Sequence, residues 1–118
     1  MVSRQEIFDF AEKEFGVKPD YPFAKFPAYA VLRHSNDGKW FGLVMNVPLN
    51  KIGLEGDDEI DILDVKCHVA KVADLTNEEG FRPAYHMNKE HWLTARLDGS
   101  VEKDTILALL RESYDLTQ

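Results

Sequence analysis

Residues 28–47 read AYAVLRHSNDGKWFGLVMNV, two apolar runs on either side of a polar reversal, and this stretch decides the fold. AYAVLRH, residues 28–34, is rich in strand formers, and KWFGLVMNV, residues 39–47, resumes the same character. Between them SNDGK supplies residues that tolerate a sharp turn, so Ala28–His34 and Lys39–Val47 are expected to pair as an antiparallel hairpin.

Toward the N-terminus, Ser3 is placed as an N-cap with Glu6 three residues later. Ile7, Phe8, Ala11 and Phe15 then fall on one helical face before Gly16, which predicts a helix over 3–15. VKPDYPFAKFP, residues 17–27, carries three prolines, each without an amide donor, and reads as an extended connection into the sheet. Beyond the hairpin, the polar, glycine-containing PLNKIGLEGDD gives way to EIDILDVKC, residues 59–67, expected as a third strand. HVAKVADLTNEEG, residues 68–80, predicts a short helix with Val69, Val72, Ala73 and Thr76 inward. PAYHM, residues 83–87, and WLTARLDG, residues 92–99, read as a short and a longer strand. SVEKDTILALLRESYDLTQ then predicts a terminal helix capped by Ser100, with Ile106, Leu109, Leu110 and Tyr114 on one face. The order α-β(3)-α-β(2)-α implies an α+β two-layer sandwich, an antiparallel sheet covered by helices, in a single domain of residues 1–118.

The chain has 118 residues, enough for one core, with 44% hydrophobic and 30% charged residues, an ordinary globular balance. Its 14 Lys and Arg against 21 Asp and Glu leave a net charge of −7, which works against non-specific attraction to phosphate backbones and anionic membranes. Any nucleic-acid contact must therefore use a local patch. Cys67 is the only cysteine, so no internal disulfide forms and a reducing cytoplasm is expected. The acidic, amphipathic start lacks a signal-peptide core and no stretch is long enough to span a bilayer, so a soluble monomer without membrane contact is expected.

KWFGLVMNVP, the strand ending DVKC, GFRPAYHMNKEHWLTARLDGSV and the terminal LLRESYDLT follow one another in an order that resembles the MmcQ/YjbR family. The resemblance covers nearly the whole chain, and PAYHMNKEHW, residues 83–92, is its most specific part. It implies a CyaY-like fold, also likened to secretion chaperones. It further implies a "double wing" arrangement of hairpins from which DNA binding is inferred by analogy of fold.

PAYHMNKEHW invites three kinds of chemistry. Thiolate and imidazole are zinc ligands, but Cys67 and His68 are adjacent and diverge on a strand, and the odd spacing of His86 and His91 also sends them apart. HMNKEH lacks the helical two-histidine spacing of zinc proteases, so no metal and no cofactor is expected. Cys67 or Ser113 would need a histidine brought up by the fold to act as a nucleophile, and packing roles are the simpler expectation, so no catalytic residue is assigned. EGDDEIDILD lacks the spacing of a calcium loop and reads as a solvated acidic face.

The nucleic-acid reading has local support, since Arg82, Lys89 and Arg96 outnumber Glu90 between Phe81 and Leu97, with histidines and aromatics among them. The first hairpin adds Arg33, His34 and Lys39 around its turn as a second wing. In this reading Arg33, Arg82 and Lys89 contact phosphate, His86 and Asn88 contact base edges or sugar, and Tyr85 and Trp92 anchor the bend. A DNA-binding module is therefore the leading expectation. A chaperone-like protein partner on an exposed sheet face or edge is the first alternative, and a small-ligand or enzymatic pocket at His86, His91 and Tyr85 is the second.

Overall fold

The computed structural model describes residues 2–118. Helix α1, Arg4–Phe15, begins where local chemistry places it. Ser3 accepts the Glu6 amide and Glu6 returns to the Ser3 amide, while Gly16 closes the helix at φ 68°. Strands β1, Ala30–Arg33, and β2, Trp40–Pro48, form the expected hairpin. A 3-10 turn at Leu49–Ile52 leads to β3, Glu59–Lys66, and then to α2, Val69–Leu75. Strand β4, Phe81–Pro83, pairs with β5, Trp92–Arg96, and α3, Lys103–Leu116, follows.

All strand pairs are antiparallel, in the spatial order β1-β2-β3-β5-β4. The three helices lie on one face. Ile7, Phe8 and Ala11 of α1, Val72 of α2, and Ile106, Leu109 and Leu110 of α3 share one buried cluster with Leu32, Val44, Leu63, Val65 and Leu93. The opposite face carries its own cluster, Val31, Leu43, Met45, Val47 and Ile62, and loops rather than helices close over it. Both sets obey the period of two along the strands.

One irregularity sets the site. Register steps from Leu32↔Gly42 to Arg33↔Trp40, so Phe41 is an extra residue in β2. Phe41 and Gly42 both turn toward the helices, and Trp40 joins the opposite face. The ladder between β2 and β3 stops at Gly42↔Val65. Just beyond it, the buried Ser113 hydroxyl of α3 accepts the Lys66 amide at 2.9 Å and donates to the Phe41 carbonyl at 2.6 Å.

Three expectations are corrected. Helix α2 is shorter than residues 68–80 and buries only Val72; Val69 and Ala73 face water and Thr76 ends the helix half-buried. The short strand is Phe81–Pro83 rather than residues 83–87, because Pro83 has no amide and the Tyr85 amide bonds the Thr94 hydroxyl instead of a ladder carbonyl. Ser100 does not cap α3. Its amide bonds the Asp98 carboxylate in the preceding turn, and Glu102 takes the cap position without a side-chain bond.

Candidate functional site

The turn after β1 and the connection after β4 leave the same end of the sheet, since Arg33 pairs with Trp40, Lys66 with Trp92 and Pro83 with Leu93. Their basic residues start from opposite edges. β1 and β4 are the two edge strands of a five-stranded sheet, which separates their backbones by about 19 Å at the usual strand spacing. Arg33 is held by an ion pair with Asp20, and Lys39 lies 3.8 Å from Asp37. His34 is a correction to the wing expectation. It is buried, its Nε2 is 2.7 Å from the Thr117 hydroxyl, and its ring packs on Tyr114 and Phe41, so it is a core residue beneath the end of α3.

The connection between β4 and β5 folds back over the face away from the helices, where Tyr85 and Met87 pack on that face's cluster. Asn88 shapes the bend. Its Oδ1 accepts the Glu90 and His91 amides at 2.8 and 3.2 Å, and its carbonyl accepts the Trp92 amide at 2.9 Å. Trp92 is buried at the start of β5. His86 occupies the left-handed region at φ 62°, a conformation that costs a non-glycine residue about 1 kcal/mol or more, and its ring lies 3.9 Å from that of Tyr85.

On one side of this segment is a hollow of about 240 Å³ lined by Lys51, Gly53, Arg82, Tyr85 and Lys89. Arg82 is fixed across the 3-10 turn, its Nε donating to the Ile52 carbonyl at 2.7 Å. Gly53, at φ 82°, leaves room for the Arg82 guanidinium, which a Cβ there would strike. Of the 14 lysines and arginines, eight pair with a carboxylate. Lys51, Arg82 and Lys89 are not among them, so three cations without a carboxylate partner among the described residues, from three separate segments, meet in one concavity of an acidic chain. Arg82 and Lys89 belong to the expected late wing, whereas Lys51 does not, because it arrives from the 3-10 turn two residues before Gly53.

On the other side of the segment is an apolar pocket, also of about 240 Å³, walled by Phe23, Phe26, Tyr29, Trp40, His86 and Met87. Phe26 stacks on Tyr29 at 4.6 Å, and Phe23 meets Trp40 edge-on at 6.0 Å. Burial, together with the nearby Tyr85 hydroxyl, holds the Tyr29 phenol above its usual value. Phe23, Phe26 and Tyr29 escaped the sequence reading because they lie in or beside the proline-rich connection, where aromatics follow no strand or helix period.

Beneath the same segment Asp64 is fully buried on β3. Its Oδ1 accepts the Thr94 hydroxyl, which itself accepts the Tyr85 amide, while Oδ2 has no partner among the described residues. Burial pushes its carboxyl up to about 8, against the smaller opposing pulls of Thr94 and Lys89.

His86 lines the aromatic pocket and His91 does not, and no group of three or more His, Cys, Asp or Glu side chains suited to a metal occurs among the described residues. Cys67 is buried and its thiol is pushed up to about 11 by that burial, which keeps it protonated at neutral pH. The Ser113 hydroxyl proton is committed to the Phe41 carbonyl. No described helix is long and apolar enough to cross a membrane.

Fold and site together define a small α+β sandwich protein with helices on one sheet face and two concavities on the other. The chain belongs to the YjbR family, whose model matches residues 14–116. It is 43% identical over 118 residues to the uncharacterised protein YyaQ of Bacillus subtilis (strain 168), covering 100% of both chains. A crystal structure of a Pseudomonas syringae protein superposes with a TM-score of 0.95 at 44% identity, covering 99% of this chain and 100% of that one. A Deinococcus radiodurans protein shares the fold at 22% identity and a TM-score of 0.74, over 98% of this chain and 78% of the other.

Proposed function

We propose that this protein is a non-catalytic nucleic-acid-binding module, DNA being the first candidate, whose phosphate contact is the hollow formed by Lys51, Arg82 and Lys89. The observation that carries this reading is the convergence of three cations without carboxylate partners among the described residues, in a chain of net charge −7. A cluster left unpaired amid surplus acid attracts an external anion, and Arg82, already oriented by the Ile52 carbonyl, presents its guanidinium at little entropic cost. The first hairpin is not part of this contact, since Arg33 and Lys39 lie at the far edge beside carboxylates. The protein-interaction alternative has less support among the described residues. The exposed large hydrophobics Tyr21, Phe26 and Val69 are divided between the proline-rich connection and α2.

Titration of a labelled DNA single strand at low salt tests the reading. Lys51→Ala combined with Lys89→Ala is expected to weaken binding about tenfold, a loss of about 1.4 kcal/mol. The slope of log affinity against log salt should fall by about 1.4, or about 0.7 for each phosphate contact removed. Both side chains are exposed, so the fold should survive. Unchanged affinity and slope in the double variant would sink the proposal.

Gly53→Ala offers a milder probe. The new methyl group displaces the Arg82 guanidinium and forces alanine into positive φ, so a stability loss of about 1 kcal/mol is expected in chemical denaturation. The same variant should bind DNA several-fold more weakly.

A further inference from the structure

We infer that the aromatic pocket takes an unpaired heteroaromatic base of the phosphate-bearing ligand, so that the site recognises a base and its phosphate together. This rests on the reading of the Lys51–Arg82–Lys89 hollow as a phosphate site. The segment Tyr85–Met87 borders both concavities, contributing Tyr85 to the hollow and His86 and Met87 to the pocket. An apolar pocket beside a cluster of unpaired cations complements a ligand that is planar and uncharged at one end and anionic at the other.

The walls fit such a ring in kind and in size. Phe23, Phe26, Tyr29 and Trp40 offer aromatic faces and edges, and about 240 Å³ is below the range of drug-sized sites but ample for one small ring system. Base–aromatic stacking tolerates any base, because each has a π-face. His86 supplies the polar element: its imidazole lines the pocket and makes no hydrogen bond among the described residues. Edge donors or acceptors of a base can pair with that ring. In a duplex the bases are already stacked and paired, so the pocket selects a single strand or a free nucleotide.

Trp40 reports directly on occupancy. In amide and indole NMR spectra of the full chain, adenosine and AMP are expected to shift the Trp40 indole signal, with AMP binding at least tenfold more tightly. Inorganic phosphate should move Lys89 and Arg82 signals while leaving Trp40 in place. Phe26→Ala, at a half-exposed position whose loss the fold should bear, is expected to weaken adenosine and AMP about tenfold without altering the phosphate response. A single-stranded oligonucleotide far tighter than AMP identifies a strand as the source of the base, and near-equal affinities identify a free nucleotide. An unmoved Trp40 with adenosine and AMP, while DNA affinity still depends on Lys51 and Lys89, would overturn the base pocket and leave the phosphate reading standing. Adenosine binding that Phe26→Ala weakens, with AMP no tighter than adenosine, would do the reverse. Duplex binding as tight as the single strand would also overturn the base pocket.

Discussion

Asp64→Asn is expected to stabilise the fold increasingly as pH rises from about 5 to 8. Asp64 is fully buried on β3, its Oδ2 has no partner among the described residues, and its carboxyl is pushed up to about 8 chiefly by burial. In the unfolded chain the same group titrates near its ordinary value of about 3.9. Between these two values the folded state holds a proton that the unfolded state has released, so stability falls as pH rises, by up to about 1.4 kcal/mol per pH unit. Above about pH 8 the group is ionised in both states and its contribution becomes flat. Asparagine mimics the protonated acid, keeps an oxygen for the Thr94 hydroxyl and does not titrate. Urea denaturation at successive pH values should show the gap between variant and parent widening up to about pH 8. A gap independent of pH would refute this account of Asp64.

Ser113→Ala is expected to cost about 2–4 kcal/mol, an unusually large effect for the loss of one hydroxyl. The bulge at Phe41 ends the β2–β3 ladder at Gly42↔Val65, and the Ser113 hydroxyl joins the next amide and carbonyl by bonding to both. Alanine leaves the Lys66 amide, part-buried, and the Phe41 carbonyl, buried, without that partner, and each stranded group carries a desolvation cost of about 1–3 kcal/mol. Chemical denaturation measures the loss. A change below about 0.5 kcal/mol would show that the two strands close the ladder by themselves. The neighbouring Tyr114 stacks on Phe15 at 4.0 Å and packs against His34, so the pair Ser113–Tyr114 fastens α3 to both the sheet and α1.

Elements governed by short-range chemistry were legible in the sequence. The capping box of Ser3 and Glu6 starts α1, the Asn-Asp-Gly reversal makes the first hairpin, and the stripe Ile106, Leu109 and Leu110 lies inward on α3. Two of the misplacements share a cause: a backbone or side-chain group found a partner on another element of the fold. The Tyr85 amide was drawn to Thr94 and His34 to Thr117, 83 residues away, whereas Ser100 turned to Asp98, a local partner two residues before it. His34 had the appearance of a polar turn residue and became buried only because the end of α3 packs over it.

Within the candidate site the same division holds. Arg82, Lys89 and His86 stood out because they lie in one compact motif, whereas Asn88, expected at base edges or sugar, has its side-chain oxygen engaged by the Glu90 and His91 amides. Lys51, Phe23, Phe26 and Trp40 did not stand out, because each reaches the site from elsewhere: from the turn after β2, from the proline-rich connection, and from a bulge that sends Trp40 away from the helices. By itself the sequence determined the order of elements, the antiparallel hairpin, the helical faces and the acidic surplus, since caps, turns, periodicity and charge are properties of neighbouring residues. Only the tertiary structure decided that the two hairpins stand at opposite edges of the sheet, that Asp64 is buried, and that the hollow and the pocket lie on either side of one segment. Strand order, register and loop closure bring together residues distant along the chain, and it is that convergence which separates an unpaired cation cluster from cations already held by carboxylates.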